Sequence, residues 1–116
     1  MAKIMRKSGV SIGVTRGDSA SFPLNITRAD GSQFIPEESK GEQVTFTVRN
    51  GPKSEEYPPL IQKNITGTRI ELEPEDTAEL EYGSYIFDVE VKYMDDEELE
   101  TKTVIIGQFN VTAEVT

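Results

Sequence analysis

The run Tyr85-Ile86-Phe87-Asp88-Val89-Glu90-Val91-Lys92-Tyr93 constrains the fold more than any other feature of this chain. Large apolar residues fall on every second position, and polar or charged residues occupy most of the positions between. A strand sends successive side chains to opposite faces, so the pattern builds one face for a core and one for water. A helix would scatter the same residues around its axis. The period recurs in Val10, Ile12 and Val14, in Phe22, Leu24 and Ile26, in Val44, Phe46 and Val48, and in Phe109, Val111, Ala113 and Val115. Less regular strands are expected near Leu60–Ile65, Arg69–Leu72 and Leu99–Ile106.

Turn signals separate these runs at Gly17-Asp18, Asp30-Gly31, Asn50-Gly51-Pro52, Gly67 and Asp95-Asp96. Pro58-Pro59 blocks regular pairing before Leu60 and suits an irregular entry to an edge strand. Seven to eight short strands with turns between them predict an all-β, immunoglobulin-like antiparallel β-sandwich. The 116 residues suit one domain, read as a tail over 1–8 and a single sandwich over 9–116. A chain of this size buries roughly two-thirds of its unfolded surface, enough for a core without a metal or disulfide.

One segment breaks the alternation. In Glu73–Tyr85, Pro74 suits a first helical position, with Glu75 and Asp76 favourable in a first turn. A single helical turn is expected there, ended by Gly83. Leu80, Gly83 and Tyr85 then match a tyrosine corner, in which a tyrosine hydroxyl bonds a backbone group a few residues upstream.

Composition removes several kinds of chemistry. Cysteine and histidine are both absent, so there is no thiol nucleophile, thiolate metal site or imidazole base. No phosphate-binding glycine loop or nucleophile elbow is present. No enzyme activity, cofactor or metal is therefore expected, and no catalytic residue is assigned. The acidic stretch Asp95-Asp96-Glu97-Glu98 lacks the ligand spacing and the glycine of an EF-hand and reads as a solvated turn. The net charge of −9 comes from the second half of the chain: residues 1–58 carry eight Lys/Arg and seven Asp/Glu, residues 59–116 four and fourteen. Such a surface repels phosphate backbones, which argues against nucleic acid as a partner. Lys3, Arg6 and Lys7 are not followed by the apolar run of a signal peptide, and no stretch is long and apolar enough to span a membrane.

Three Asn-x-Thr triplets, at Asn25, Asn64 and Asn110, follow from alternation alone, with an inward Ile or Val between two polar neighbours. Arg16-Gly17-Asp18-Ser19 spells an integrin-recognition signal. Average composition produces the Arg-Gly-Asp triplet in roughly one chain of this length in fifty. Its structural account is a turn between the first two strands, with Gly17 supplying backbone freedom and Asp18 the turn-forming side chain.

Taken together, Arg16–Ser19 before an alternating run, the strand Val44–Asn50, Asp76–Val89 read as D-T-A-x-L-x-x-G-x-Y-x-x-D-V, and a closing Gly107–Thr116 resemble small β-sandwich proteins of tailed phages and prophages. Among them is the N-terminal domain of the baseplate upper protein in phages of Gram-positive hosts. The resemblance spans nearly the whole chain, although the hairpin Asp95–Leu99 is more acidic than that pattern. It implies a non-enzymatic tail or baseplate module that docks on other tail or baseplate subunits and is open to homo-oligomer formation. Neither nucleic acid nor membrane is an expected partner. The expected location is the bacterial cytoplasm before assembly and the virion afterwards, as a stand-alone protein or a domain of a longer one. The competing expectation is a cell-surface adhesin or carbohydrate-binding sandwich that uses the Arg-Gly-Asp turn or a loop face.

Overall fold

The computed structural model describes residues 7–51 and 56–113, with side chains from Gly9 onward. The strands are β1 (Lys7–Thr15), β2 (Ala20–Pro23), β3 (Gln43–Arg49), β4 (Ile61–Asn64), β5 (Arg69–Leu72), β6 (Gly83–Asp95) and β7 (Glu98–Thr112). One sheet has the order β1-β7-β6-β3-β4, and the second is the pair β2-β5. The protein is thus an all-β sandwich with seven strands among the described residues. The expected helical turn is α1 (Pro74–Ala78), with Pro74 at its start; a second, 3-10 turn not anticipated from the sequence spans Glu38–Lys40.

The sheets are not wholly antiparallel, as the sequence had suggested. β1 runs parallel to β7, pairing Ile12 with Phe109 and Val14 with Val111, whereas the other ladders are antiparallel. The cause is the turn after Thr15, which sends the chain to the opposite sheet instead of folding it back as a hairpin. β1 therefore finds its ladder partner in the last strand, which runs the same way. β1 also begins at Lys7, inside the stretch 1–8 expected to be a tail; residues 1–6 lie outside the described residues.

Two further boundaries differ from expectation. The expected strand through Phe22, Leu24 and Ile26 pairs only over Ala20–Pro23, because β5 supplies just four partners. Beyond Pro23 the chain holds on through Leu24 N–H to the Thr68 carbonyl (2.7 Å) and folds into a small loop closed by Phe34 N–H on the Ile26 carbonyl (2.7 Å). The expected strands Leu99–Ile106 and Phe109–Val115 are one continuous strand as far as Thr112; Val115 lies outside the described residues. The irregular reading of Leu99–Ile106 has a local cause. Val89 pairs with Ile105 and Glu90 with Thr103, which leaves Val104 as an extra residue. This bulge places Val104 and Ile105 both in the core.

The core lies between the five-stranded sheet and its narrow cover. Phe46, Phe87 and Phe109 are fully buried. The Phe46 ring centroid lies 5.6 Å from that of Phe87 and 6.2 Å from that of Phe109, in tilted arrangements. Ile70 and Leu72 from β5 close over them, and Leu24, Ile26 and Phe34 extend the cover where β2 has ended.

Gly107 pairs with Phe87 and sits where β1 changes register between Ser8 and Val10. A Cβ there would collide with the Val10 carbonyl and come within 2.7 Å of the Phe87 ring. Gly107→Ala is expected to destabilise the fold by about 1–3 kcal/mol, the usual cost of overpacking, measured by urea unfolding. Parental stability would show that β1 does not press on β7 at this point.

Candidate functional site

The two sequence-predicted motifs come together at one end of the sandwich. Gly17, at φ 80°, donates its backbone N–H to the Thr77 hydroxyl (2.8 Å), and Thr77 is buried in α1. The Arg16 guanidinium lies 4.3 Å above the centre of the Tyr82 ring, and Arg16 N–H donates to the Thr112 carbonyl (3.1 Å). The turn closes through the backbone N–H of Asp18 on the Thr15 carbonyl (3.2 Å), not through its exposed carboxylate as expected from the sequence. Tyr85 donates its hydroxyl to the Glu81 carbonyl (2.6 Å), Leu80 packs on the core, and Gly83 has φ 146°. These contacts tie the first turn to the segment between β5 and β6. They describe a joint in the fold with no vacant chemistry.

Sequence reasoning overlooked Glu42. It occupies the inward phase of β3, two residues before Val44, and is buried despite its charge. Its two carboxylate oxygens accept Glu37 N–H (3.1 Å) and Met94 N–H (2.9 Å), so it anchors the loop before β3 to the end of β6. An acid in register with Val44, Phe46 and Val48 was the available signal. Among the described residues there is no group of three or more acids that could hold a metal ion.

The broadest candidate surface is the outward face of the five-stranded sheet. Strand alternation places Gln43, Thr45, Thr47 and Arg49 there from β3, with Gln62 and Asn64 beside them on β4. β6 adds Ser84, Ile86, Asp88, Glu90 and Lys92; β7 adds Thr101, Thr103, Ile106, Gln108 and Asn110. Ser11, Gly13 and Thr15 of β1, Thr112 of β7 and the Met94–Leu99 pair at the hairpin end complete it. Hydrogen bonds join the side chains across strands. Gln43 Nε2 donates to Asn64 Oδ1 (2.9 Å), Gln62 Nε2 to Thr47 Oγ1 (3.3 Å) and Ser84 Oγ to Asn110 Oδ1 (2.7 Å). Two of the three Asn-x-Thr asparagines thus belong to this ladder, whereas Asn25 lies exposed beyond β2.

Within the face, a shallow polar depression of about 310 Å³ is lined by Thr45, Thr47, Arg49, Gln62, Asp88, Glu90 and Thr103. Arg49 Nη1 donates to Asp88 Oδ2 (3.1 Å), while Arg49 Nε is buried without an acceptor. Burial pushes the Asp88 carboxyl above the ordinary aspartate range; Arg49 opposes the shift and Glu90 adds to it. Ile86 and Ile106 are diagonal neighbours near the middle, set by the pairs Ile86–Gln108 and Asp88–Ile106. Ile106 is 43% exposed.

Electrostatically this face differs from the rest of the chain. Among its outward side chains, only Arg49 and Lys92 are basic and only Asp88 and Glu90 acidic. Removing those two bases and two acids from the chain's 12 Lys/Arg and 21 Asp/Glu leaves 10 and 19, so the whole net charge of −9 resides elsewhere. The depression itself is built from one ion pair, threonines, an amide and Glu90. What the face can do is lie against another surface, because several of its polar side chains are paired across strands and its centre is apolar.

Comparison with known proteins finds no matching family model and no similar curated protein. Among the described residues, no helix is long and apolar enough to cross a membrane.

The raised pKa of Asp88 has a consequence for stability. Folding favours its protonated form, so its contribution declines as pH rises from the ordinary aspartate range through the raised value. Asp88→Asn keeps an acceptor for Arg49 and removes that slope. Urea unfolding at intervals from pH 4 to pH 8 is expected to show parent stability falling with pH relative to the variant. Parallel pH profiles would contradict the assignment.

Proposed function

We propose that this chain is a non-enzymatic structural module of a phage or prophage virion, built into the tail or baseplate through protein–protein contacts. The observation that carries the proposal is the segregation of charge: one broad, electroneutral sheet face with an isoleucine centre, on a chain otherwise strongly acidic. Interface centres are depleted of charge relative to the remaining surface. The acidic remainder, concentrated from Glu71 to Glu100, suits a basic surface on a different partner. The resemblance of Arg16–Ser19, Asp76–Val89 and Gly107–Thr116 to phage sandwich proteins is what favours a tail or baseplate as the assembly. In this role the protein is made in the bacterial cytoplasm and ends in the virion.

The adhesin reading draws on the same Arg-Gly-Asp triplet. An integrin ligand needs that loop available to a receptor, but Gly17 is held by Thr77 and Arg16 lies over Tyr82. Both contacts would have to break for the triplet to reshape around a receptor.

Affinity capture with the purified chain, from host cells expressing the genes that flank its own, is expected to recover tail or baseplate subunits. Binding to integrins or on a glycan array, with no tail protein recovered, would overturn the proposal in favour of the adhesin.

A further inference from the structure

We infer that the outward face of the five-stranded sheet binds a second copy of this chain, face to face. The inference deepens the assembly reading and rests on it for treating this face as a contact surface; the identity of the occupant comes from electrostatics.

Two copies of a chain carrying −9 repel each other wherever their acidic surfaces meet. Glu71, Glu73 and Glu75 lie on or beside the two-stranded sheet, and Asp95–Glu98 form the end of the β6–β7 hairpin. A contact through either region would set like charges against each other at short range. The outward face of the larger sheet has equal numbers of both signs. The pair β2-β5 covers the opposite side of each five-stranded sheet, so copies joined by this face hold their β5 acids three sheet spacings, roughly 30 Å, apart. That is well beyond the Debye length of about 8 Å at physiological salt.

The make-up of the face also suits self-association. Apart from the exposed Gln108, its threonines, asparagines and glutamines are short or already tied by the Gln43–Asn64, Gln62–Thr47 and Ser84–Asn110 hydrogen bonds. Little side-chain freedom remains to be lost on binding. Arg49 and Asp88 neutralise each other within one copy, so no charge there needs a partner from the other. A two-fold axis near Ile86 and Ile106 would bring the same four isoleucines together, as an isologous contact requires.

Five strands about 4.8 Å apart and some seven residues long span on the order of 20 by 23 Å, roughly 500 Å² of sheet. That is less than the roughly 800 Å² per partner of a standard stable interface. The free chain should therefore dimerise reversibly and weakly, and more completely where an assembly holds copies close together.

Sedimentation equilibrium of the full chain tests this over a concentration range from about 10 μM to 1 mM, at 0.15 M and 0.5 M salt. The expected result is a rise from the 12.9 kDa monomer towards twice that mass, not weakened at the higher salt. Ile106→Lys and Gln108→Lys, both at exposed positions, are each expected to weaken association at least tenfold with thermal unfolding unchanged. Ile35→Lys, exposed but off the face, should leave it as it is. A monomer throughout the range, or a dimer insensitive to both face variants, would overturn the inference. If the monomer still captured tail subunits, only the homotypic contact would fall. A face-dependent dimer that captured none would retain the contact and sink the virion role.

Discussion

Phe46, Phe87 and Phe109 stand on three neighbouring strands of the larger sheet, and the rest of the structure is arranged to keep water from them. Burying each ring contributes about 1.5–3 kcal/mol. The five-stranded sheet offers an inner face much wider than two four-residue strands can cover. The remainder falls to segments outside the ladders: Leu24, Ile26 and Phe34 from the loop after β2, and Ile65 after β4. Glu42 then locks the loop before β3 to the backbone of β6, and Thr77 locks the first turn to α1. A narrow cover over a wide sheet explains why so many side-chain-to-backbone bonds sit around the margin.

The same alternation that loads the inner face with phenylalanine and valine loads the outer one with threonine, asparagine and glutamine. These residues favour pleated backbone or pair across strands, so the outer face needs no charge to remain ordered. Acids collect instead at the ends, around α1 and in the β6–β7 hairpin. The hairpin turns on Asp96 and Glu97 with φ of 48° and 70°, a geometry that glycine or asparagine would adopt with less strain. Burial and the neighbouring Asp95 and Glu100 raise the Tyr93 phenol pKa, a further mark of how densely negative that end is.

Much of this is legible in the sequence alone. Period-two runs located β1, β3 and β6 and separated their inner from their outer residues. Pro74 and the Leu80-Gly83-Tyr85 spacing located the helical turn and the bend that follows it. The sequence could not show the parallel pairing of β1, because that depends on where the chain goes after Asp18 and on a partner about a hundred residues away. Nor could it show the bulge at Val104, since one extra residue inverts the alternation and makes a regular strand look irregular. The outer face was visible only in pieces: Thr45, Thr47 and Arg49 in one run, and Ile86, Asp88 and Glu90 in another. Their union into one neutral surface is a property of strand order. Strand order is set by long-range pairing that local patterns do not encode.

On the proposed role, the neutral outward face is where this protein meets its neighbours, another copy of itself foremost. Methyl NMR of isoleucine-labelled protein during dilution from about 1 mM to 10 μM addresses it residue by residue. Self-association through this face is expected to shift the Ile86 and Ile106 methyl signals with concentration and to leave Ile35, Ile61 and Ile70 unmoved. Shifts at Ile35 alone, or constant spectra across the range, would contradict it.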